Sequence, residues 1–115
     1  MKYSDVHVQP LKGYRYKVLK DIKYRDVTVR AGYRTNGANI PRLLWWYIPP
    51  YWSDAIPAVI VHDYMCDVAI TKSDYRKADR YFDEILKKLN VDKRKRKQMS
   101  KATAFYTKYI REYKG

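Results

Sequence analysis

The sequence predicts an α+β fold in which a small N-terminal antiparallel sheet is followed by three to four packed helices. Residues Tyr14 to Thr35 alternate apolar and polar side chains and are rich in Val, Ile, Tyr and Thr, as half-buried strands are. Later residues instead space their apolar side chains at i, i+3 and i+7, which is typical of amphipathic helices. The 115 residues suit a single domain, with strands and a loop in residues 1–40 and helices in residues 41–115.

The alternating stretch is expected to form two antiparallel strands, with a polar turn from Lys23 to Asp26. Residues 1–12 are expected to add an edge strand. Residues 36–41 read N-G-A-N-I-P, in which Asn-Gly favours positive φ and Ile before Pro is extended. They predict an ordered loop between the sheet and the helices.

A short helix is expected to begin at Pro41 and to carry Trp45 and Trp46. Adjacent side chains on a helix face different directions, so at least one tryptophan is expected at the surface or at the rim of a pocket. A core position and contact with a lipid or protein partner are both left open for these residues.

Three longer helices follow from the apolar spacing and from Asp or Ser residues suited to the N-cap position. Their expected bounds are Asp54 to Cys66, then Asp74 to about Leu89 with Ser73 as the N-cap, and a last helix after the N-cap Asp92.

The strongest chemical signal is the pair His62 and Asp63 in the central helix. Neighbouring helical residues point about 100° apart, so the two side chains contact different partners. Asp79 lies on the flank of the apolar stripe of the next helix and is the expected partner of His62, since buried polar groups need hydrogen bonds. With one ring nitrogen held by the carboxylate, the other can take a proton from water. His62 and Asp79 are therefore the candidate catalytic residues, as a general-base dyad.

Asp63 is the candidate metal ligand. Backbone carbonyls of the loop from Thr35 to Asn39 would add the hard oxygen ligands that calcium prefers. The cation would stabilise an oxyanion. The alternative is that Asp63 accepts hydrogen bonds from the loop or pairs with Arg34 or Arg42.

Three segments resemble known families. The order Y-R-T-N-G-A-N-I-P-R, A-V-I-V-H-D-Y and R-K-A-D-R-Y-F-D-E-I-L resembles small phage and prophage proteins of unassigned function. Within it, H-D-Y-M and A-D-R-Y-F resemble the helices of calcium-dependent secreted phospholipases A₂, including the type embedded in parvovirus capsids. This resemblance implies hydrolysis of lipid esters, with His62 as the base, Asp63 as the calcium carboxylate and Asp79 as the partner of the base. In the structural alternative, His62 and Asp79 only join two helices.

The formal net charge of +13 predicts attraction to phosphate, lipid head groups or acidic protein surfaces. Positive charge at a helix N-terminus opposes the helix dipole, so a basic run at the start of the last helix is a candidate partner-binding surface. A solvated face is the alternative explanation. The run consists of Lys93, Arg94, Lys95, Arg96 and Lys97.

Two functions fit these observations. One is a calcium-dependent lipid-ester hydrolase, with Trp45 and Trp46 facing an anionic membrane. The other is a non-catalytic phage structural or adaptor protein that contacts neighbouring subunits, or nucleic acid without sequence specificity, as part of an assembly. No apolar stretch approaches the length of a membrane span and the N-terminus lacks an apolar signal region, so the chain is expected in a cytoplasm. The resemblance to phage proteins implies that this is the host cytoplasm during synthesis and that the protein then belongs to a virion.

Overall fold

The computed structural model describes residues 6–11, 15–35 and 56–108, and within them it confirms the α+β fold. Short strands come first and helices follow. The elements are β1 (Val8–Leu11), β2 (Arg15–Val18), β3 (Ile22–Tyr24), β4 (Val27–Val29), α1 (Ile56–Val68), α2 (Lys72–Lys88) and α3 (Lys93–Tyr106).

Several predictions fall outside the described residues. They concern the loop at residues 36–41, the short helix with Trp45 and Trp46, and Asp54 as the start of the central helix.

Strand β2 has an antiparallel neighbour on each side. It pairs with β1, which confirms the edge strand expected in residues 1–12. On its other side, the N–H of Val18 donates to the carbonyl of Tyr33 over 2.8 Å, and the N–H of Thr35 donates to the carbonyl of Tyr16 over 2.9 Å. This pairing fixes Tyr33 beside the sheet.

Strands β3 and β4 form a second sheet, a hairpin closed by Arg25 and Asp26 inside the predicted turn. The prediction of two long strands is wrong for both of them. The chain bends at residues 19–20 and splits the first strand into β2 and β3, and the second ends at Val29, with a turn at residues 31–32 before an isolated bridge between Arg34 and Lys17. The carboxylate of Asp21 holds this corner by accepting the N–H of Ala31 over 2.7 Å.

One apolar core joins the inner side chains of the strands to the three helices. Residues alternate between buried and exposed along β3, as a period of two requires. Helix α2 buries the predicted stripe, and each large apolar side chain buried in this way stabilises the fold by about 1.5 to 3 kcal/mol. Its buried residues are Tyr75, Ala78, Tyr81, Phe82, Ile85 and Leu86.

Polar contacts tie α2 to the turn between β3 and β4. The hydroxyl of Tyr24 donates to Glu84 over 2.5 Å, and the hydroxyl of Tyr81 donates to Asp26 over 2.5 Å. Lys77 also pairs with Asp26. The hydrogen bonds from Lys77 and Tyr81 lower the pKa of Asp26 to about 2, so this carboxylate stays ionised and keeps both contacts at neutral pH.

The N-cap of α2 is Thr71, and the prediction of Ser73 is wrong. The Thr71 hydroxyl accepts the N–H of Asp74 over 3.2 Å, while the Asp74 carboxylate accepts the N–H of Thr71 over 3.0 Å. This reciprocal capping box needs an acceptor side chain three residues after the cap. Asp74 provides it for Thr71, which decides between the two candidates.

The other helix ends agree more closely with the sequence. Helix α1 ends at Val68, two residues beyond the predicted end at Cys66. The Asp92 side chain accepts the N–H of Lys95 over 3.3 Å, which confirms Asp92 as the N-cap of α3. Among the described residues, no helix is both long and apolar enough to cross a membrane.

We expect Thr71→Ala to lower the free energy of unfolding by about 1 kcal/mol, because an orphan N–H at the start of α2 loses its acceptor. Ser73→Ala is the matched control and should be neutral or slightly stabilising, since Ser73 is exposed and Ala favours the helix. Urea unfolding of both variants measures the difference. The reverse order of effects would make Ser73 the cap.

Candidate active site

His62 and Asp79 meet between the packed helices α1 and α2. Nε2 of His62 lies 2.9 Å from Oδ1 of Asp79, so the predicted contact is confirmed. His62 is only 9% exposed. Because an ionised carboxylate only accepts hydrogen bonds, Nε2 carries the proton in this contact.

Thr107, just after α3, joins the same contact. Its hydroxyl lies 2.9 Å from Oδ1 of Asp79 and 3.2 Å from Nε2 of His62. On the outer side, Arg76 donates to Oδ2 of Asp79 over 3.3 Å. Both carboxylate oxygens therefore have donors, and all three helices are tied to one side chain.

The sequence analysis missed Thr107. Its only signal is that it follows Met99 and Thr103 on the buried side of the last helix, at spacings of four residues. Its contact with Asp79 depends on how α3 crosses α2, which no local pattern reveals.

The second ring nitrogen of His62, Nδ1, faces a different environment. The Sγ atom of Cys66 lies 3.9 Å from Nδ1 and 3.7 Å from Nε2, and the ring of Phe82 packs against the imidazole at 5.4 Å between centroids. In the part of the chain that the structure describes, no oxygen or other nitrogen lies within hydrogen-bond distance of Nδ1. Nδ1 is therefore the ring nitrogen that does not contact Asp79.

Two opposing effects set the pKa of His62. Burial alone would lower it, but the hydrogen bond to Asp79 and the contact with Cys66 raise it, to about 9. At neutral pH the ring therefore carries a proton and forms a buried ion pair with Asp79. The neutral ring that a general base requires becomes abundant only in alkaline solution.

Asp63 faces the sheet and not the dyad. Its Oδ2 atom accepts the hydroxyl of Tyr33 at 2.8 Å, and the same hydroxyl lies 2.6 Å from Oδ2 of Asp67, one turn further along α1. The ring of Tyr33 also packs edge-on against Tyr64, at 5.4 Å between centroids. Burial and the two carboxylates raise the pKa of Tyr33, so the phenol remains protonated and acts as a donor.

The contact from Tyr33 was not anticipated. The partners expected for Asp63 were loop N–H groups, Arg34 and Arg42, and the central helix was expected to end at Cys66, before Asp67. The usable signal was the spacing of four residues between Asp63 and Asp67, which places both carboxylates on one helix face once α1 is extended to Val68.

The described residues do not by themselves form a calcium site. Among them, no three His, Cys, Asp or Glu side chains come together as metal ligands. Asp63 and Asp67 supply two carboxylates, both engaged by Tyr33, whereas calcium takes six to eight oxygen ligands. The Thr35 hydroxyl accepts the N–H of Tyr16 over 2.9 Å, and residues 36–39 lie outside the described part. Calcium binding therefore stays a prediction.

The basic run at the start of α3 is not a uniform surface. Arg96 is 16% exposed in its side chain and pairs with Asp83 of α2 over 3.3 Å. Ser100 donates to the same carboxylate over 2.6 Å. Exposed positions of the run are Lys93, Arg94 and Lys97. Arg96 thus links α3 to α2 through Asp83.

Comparison with known proteins identifies the family. Residues 11–103 match the model of a family described as protein of unknown function, DUF1353. The chain belongs to the DUF1353 family. No curated protein and no solved structure matches this DUF1353 chain. The matched range includes His62, Asp63 and Asp79, while Thr107 lies beyond its end.

The buried ion pair makes the stability of the DUF1353 chain depend on pH. The pKa of His62 is about 9 in the folded protein against 6.5 for an ordinary histidine, so the pair contributes fully below about pH 6.5. Its contribution is lost as the pH rises through 9, and it amounts to at most about 3 kcal/mol. We expect the free energy of unfolding to fall over this range in the wild type. Urea unfolding between pH 6 and 9.5 measures it.

Asp79→Asn is the matched control, because it keeps the side-chain size and removes the charge. It should abolish most of this pH dependence, whereas Thr107→Val should cost about 1 kcal/mol and leave the dependence in place. Asp79→Ala should destabilise the fold by about 1 to 3 kcal/mol at neutral pH. Equal pH dependence in the wild type and Asp79→Asn would show that the ion pair of His62 and Asp79 does not set it.

Proposed function

We propose that this protein hydrolyses lipid esters, with His62 as the general base and Asp79 as the group that orients it. The observation that carries the proposal is the 2.9 Å contact between Nε2 of His62 and Oδ1 of Asp79. It fixes the orientation of the ring and leaves Nδ1 to act on water.

The reaction is addition of water to an ester. Neutral His62 takes a proton from water at Nδ1 while the water oxygen bonds to the ester carbonyl carbon. The carbon–oxygen bond to the alcohol then breaks, and the proton held by His62 passes to the leaving oxygen. The products are a carboxylic acid and an alcohol, and the ring returns to its neutral state.

A lipid substrate is supported by two features beyond the phospholipase resemblance. The +13 net charge favours binding to anionic membrane surfaces. Val68 and Ile70, at the end of the helix that carries His62, are exposed, and Ile70 is 89% exposed. Apolar side chains at such a helix end favour membrane binding, because their transfer from water to the lipid interface lowers the free energy.

A phage setting is part of the proposal. It is supported by the resemblance of residues 33–89 to small phage and prophage proteins, and by the basic, tyrosine-rich composition that suits contacts with neighbouring subunits.

One observation favours the second candidate, a non-catalytic structural or adaptor protein of a virion. His62 is protonated at neutral pH, and Asp79 is surrounded by donors from three helices. A charged pair of this kind can fix helix packing with no chemistry at all.

We expect the wild type to hydrolyse phosphatidylglycerol in vesicles, with a rate that increases from pH 7 to about 9 as His62 loses its proton. His62→Ala and Asp79→Asn should each lower the rate at pH 9 by about a hundredfold or more. Release of fatty acid is the measurement, with melting curves to show that each variant is folded. No hydrolysis by the folded wild type at pH 9, with and without calcium, would favour the structural function.

Calcium is tested separately through stability. If Asp63 is a calcium ligand, calcium should raise the melting temperature of the wild type and not that of Asp63→Asn. Magnesium at the same concentration is the control, because its smaller, octahedral coordination suits such a site poorly. Equal melting temperatures with and without calcium would exclude a metal-assisted mechanism.

The basic run on α3 is expected to bind polyanions. Replacing Lys93, Arg94 and Lys97 by Gln should weaken binding to duplex DNA and to phosphatidylglycerol vesicles, and should reduce the salt slope for DNA by about 2 to 3. Arg96→Gln is the contrasting variant and should act mainly on stability, because Arg96 pairs with Asp83. Unchanged binding in the triple variant would identify the run as a solvated face.

A further inference from the structure

A second basic surface lies far from α3 in the sequence, in a groove that follows β3. The groove has a volume of about 970 Å³ and is lined by consecutive residues 19–25 together with Val6, Ala31 and Lys88. Neither the dyad nor the basic run on α3 contributes to it. The fold therefore places residues from the N-terminal segment, the sheet and the end of α2 around one cleft.

The charge of this groove is positive and largely uncompensated. Lys20, Lys23 and Lys88 are exposed, and within the described part of the chain none of them forms an ion pair. Among the described lining residues, the only acidic one is Asp21, which is already engaged by Arg30 and by the N–H of Ala31. An anionic partner would meet three available ammonium groups.

The groove also has apolar surface. Leu19 is 53% exposed at its edge, and Val6 lies beside it. Exposed aromatic rings, on which nucleic-acid bases stack, are lacking in the described lining, since Tyr24 is buried and its hydroxyl is bound to Glu84. The combination of lysines and aliphatic side chains suits an acidic peptide better than a nucleic acid.

The backbone of β3 gives a peptide a way to bind. Among the described residues, strand β3 pairs with β4 on one side only, and the hairpin register sets Lys23 opposite Thr28. Tyr24 and Val27 flank the two-residue turn and form a hydrogen-bonded pair of the antiparallel ladder. The next pair, Lys23 and Thr28, is then a non-hydrogen-bonded pair, whose N–H and C=O groups point away from the partner strand. The N–H and C=O of Lys23 therefore face away from β4, toward an additional strand.

We propose that this groove binds an extended acidic segment of a partner protein as an added strand along β3. Its carboxylates pair with Lys20, Lys23 and Lys88, and its aliphatic side chains cover Leu19 and Val6. The site is independent of the proposed hydrolase, because it shares no residue with the dyad.

The test uses a fluorescein-labelled ten-residue peptide of alternating Glu and Val, with binding followed by fluorescence anisotropy. Replacing Lys20, Lys23 and Lys88 by Gln should weaken binding about tenfold or more. The matched control is the Gln variant of Lys93, Arg94 and Lys97, which removes the same charge from α3. This variant should weaken peptide binding less than about threefold. Melting curves establish that both variants are folded.

Two further probes test the strand pairing. The same peptide with alternate backbone amides methylated keeps its charge but cannot pair, and it should bind about tenfold more weakly. Binding of the unmodified peptide to the wild type should also slow hydrogen exchange at the Lys23 amide. Equal losses in both Gln variants, or equal affinity for the methylated peptide, would overturn the proposal. If a ten-nucleotide oligothymidine binds the wild type more tightly than the peptide does, and the Gln variant of Lys20, Lys23 and Lys88 loses this binding, the groove would be assigned to nucleic acid.

Discussion

The hydrogen-bonded ion pair of His62 and Asp79 is the constraint on which the arrangement of the helices depends. Its burial makes sliding of α1 against α2 costly, because a buried charge without its partner costs several kcal/mol. Thr107 extends the same constraint to α3. With α1 fixed in rotation, Asp63 must point about 100° away from His62, toward Tyr33 and the sheet. One polar contact thus sets the relation between the helices and also the face that α1 presents to the strands.

The sequence was sufficient to predict the central contact, since a histidine and an aspartate on two otherwise apolar faces need each other as partners. It was not sufficient for Thr107 or Tyr33. A threonine near the end of a helix and a tyrosine in a strand are ordinary residues, and their hydroxyls reach Asp79 and Asp63 only through the tertiary packing. The hydrogen-bond partner of a buried polar group can be predicted from the sequence where few side chains could bind it. The prediction fails where many side chains could do so.

The elements of the fold were likewise predictable where they depend on local sequence, and not where they depend on contacts between residues distant in the sequence. Alternation correctly predicted strands between residues 15 and 29, but it continues through the bend at residues 19–20 and through the turn at residues 31–32, where the Asp21 carboxylate accepts the N–H of Ala31 ten residues later. The N-cap of α2 could be Thr71 or Ser73 by residue type, and the reciprocal bond from Asp74 decides it. Fold class therefore followed from periodicity, while the ends of the elements depended on specific side-chain contacts.

The contact that stabilises the helices also opposes its proposed use in catalysis. Asp79 orients His62 and makes it more basic, but the same charge raises the pKa of the ring to about 9 and so keeps it mostly protonated at pH 7. A more basic ring takes a proton from water more readily, yet it is less often available to do so. A change in the surroundings that lowers this pKa would make the neutral ring required by the proposed hydrolysis more abundant, with no change in the positions of the paired atoms. The distinction between the two functions therefore lies in the electrostatic surroundings of His62 more than in the geometry of the pair.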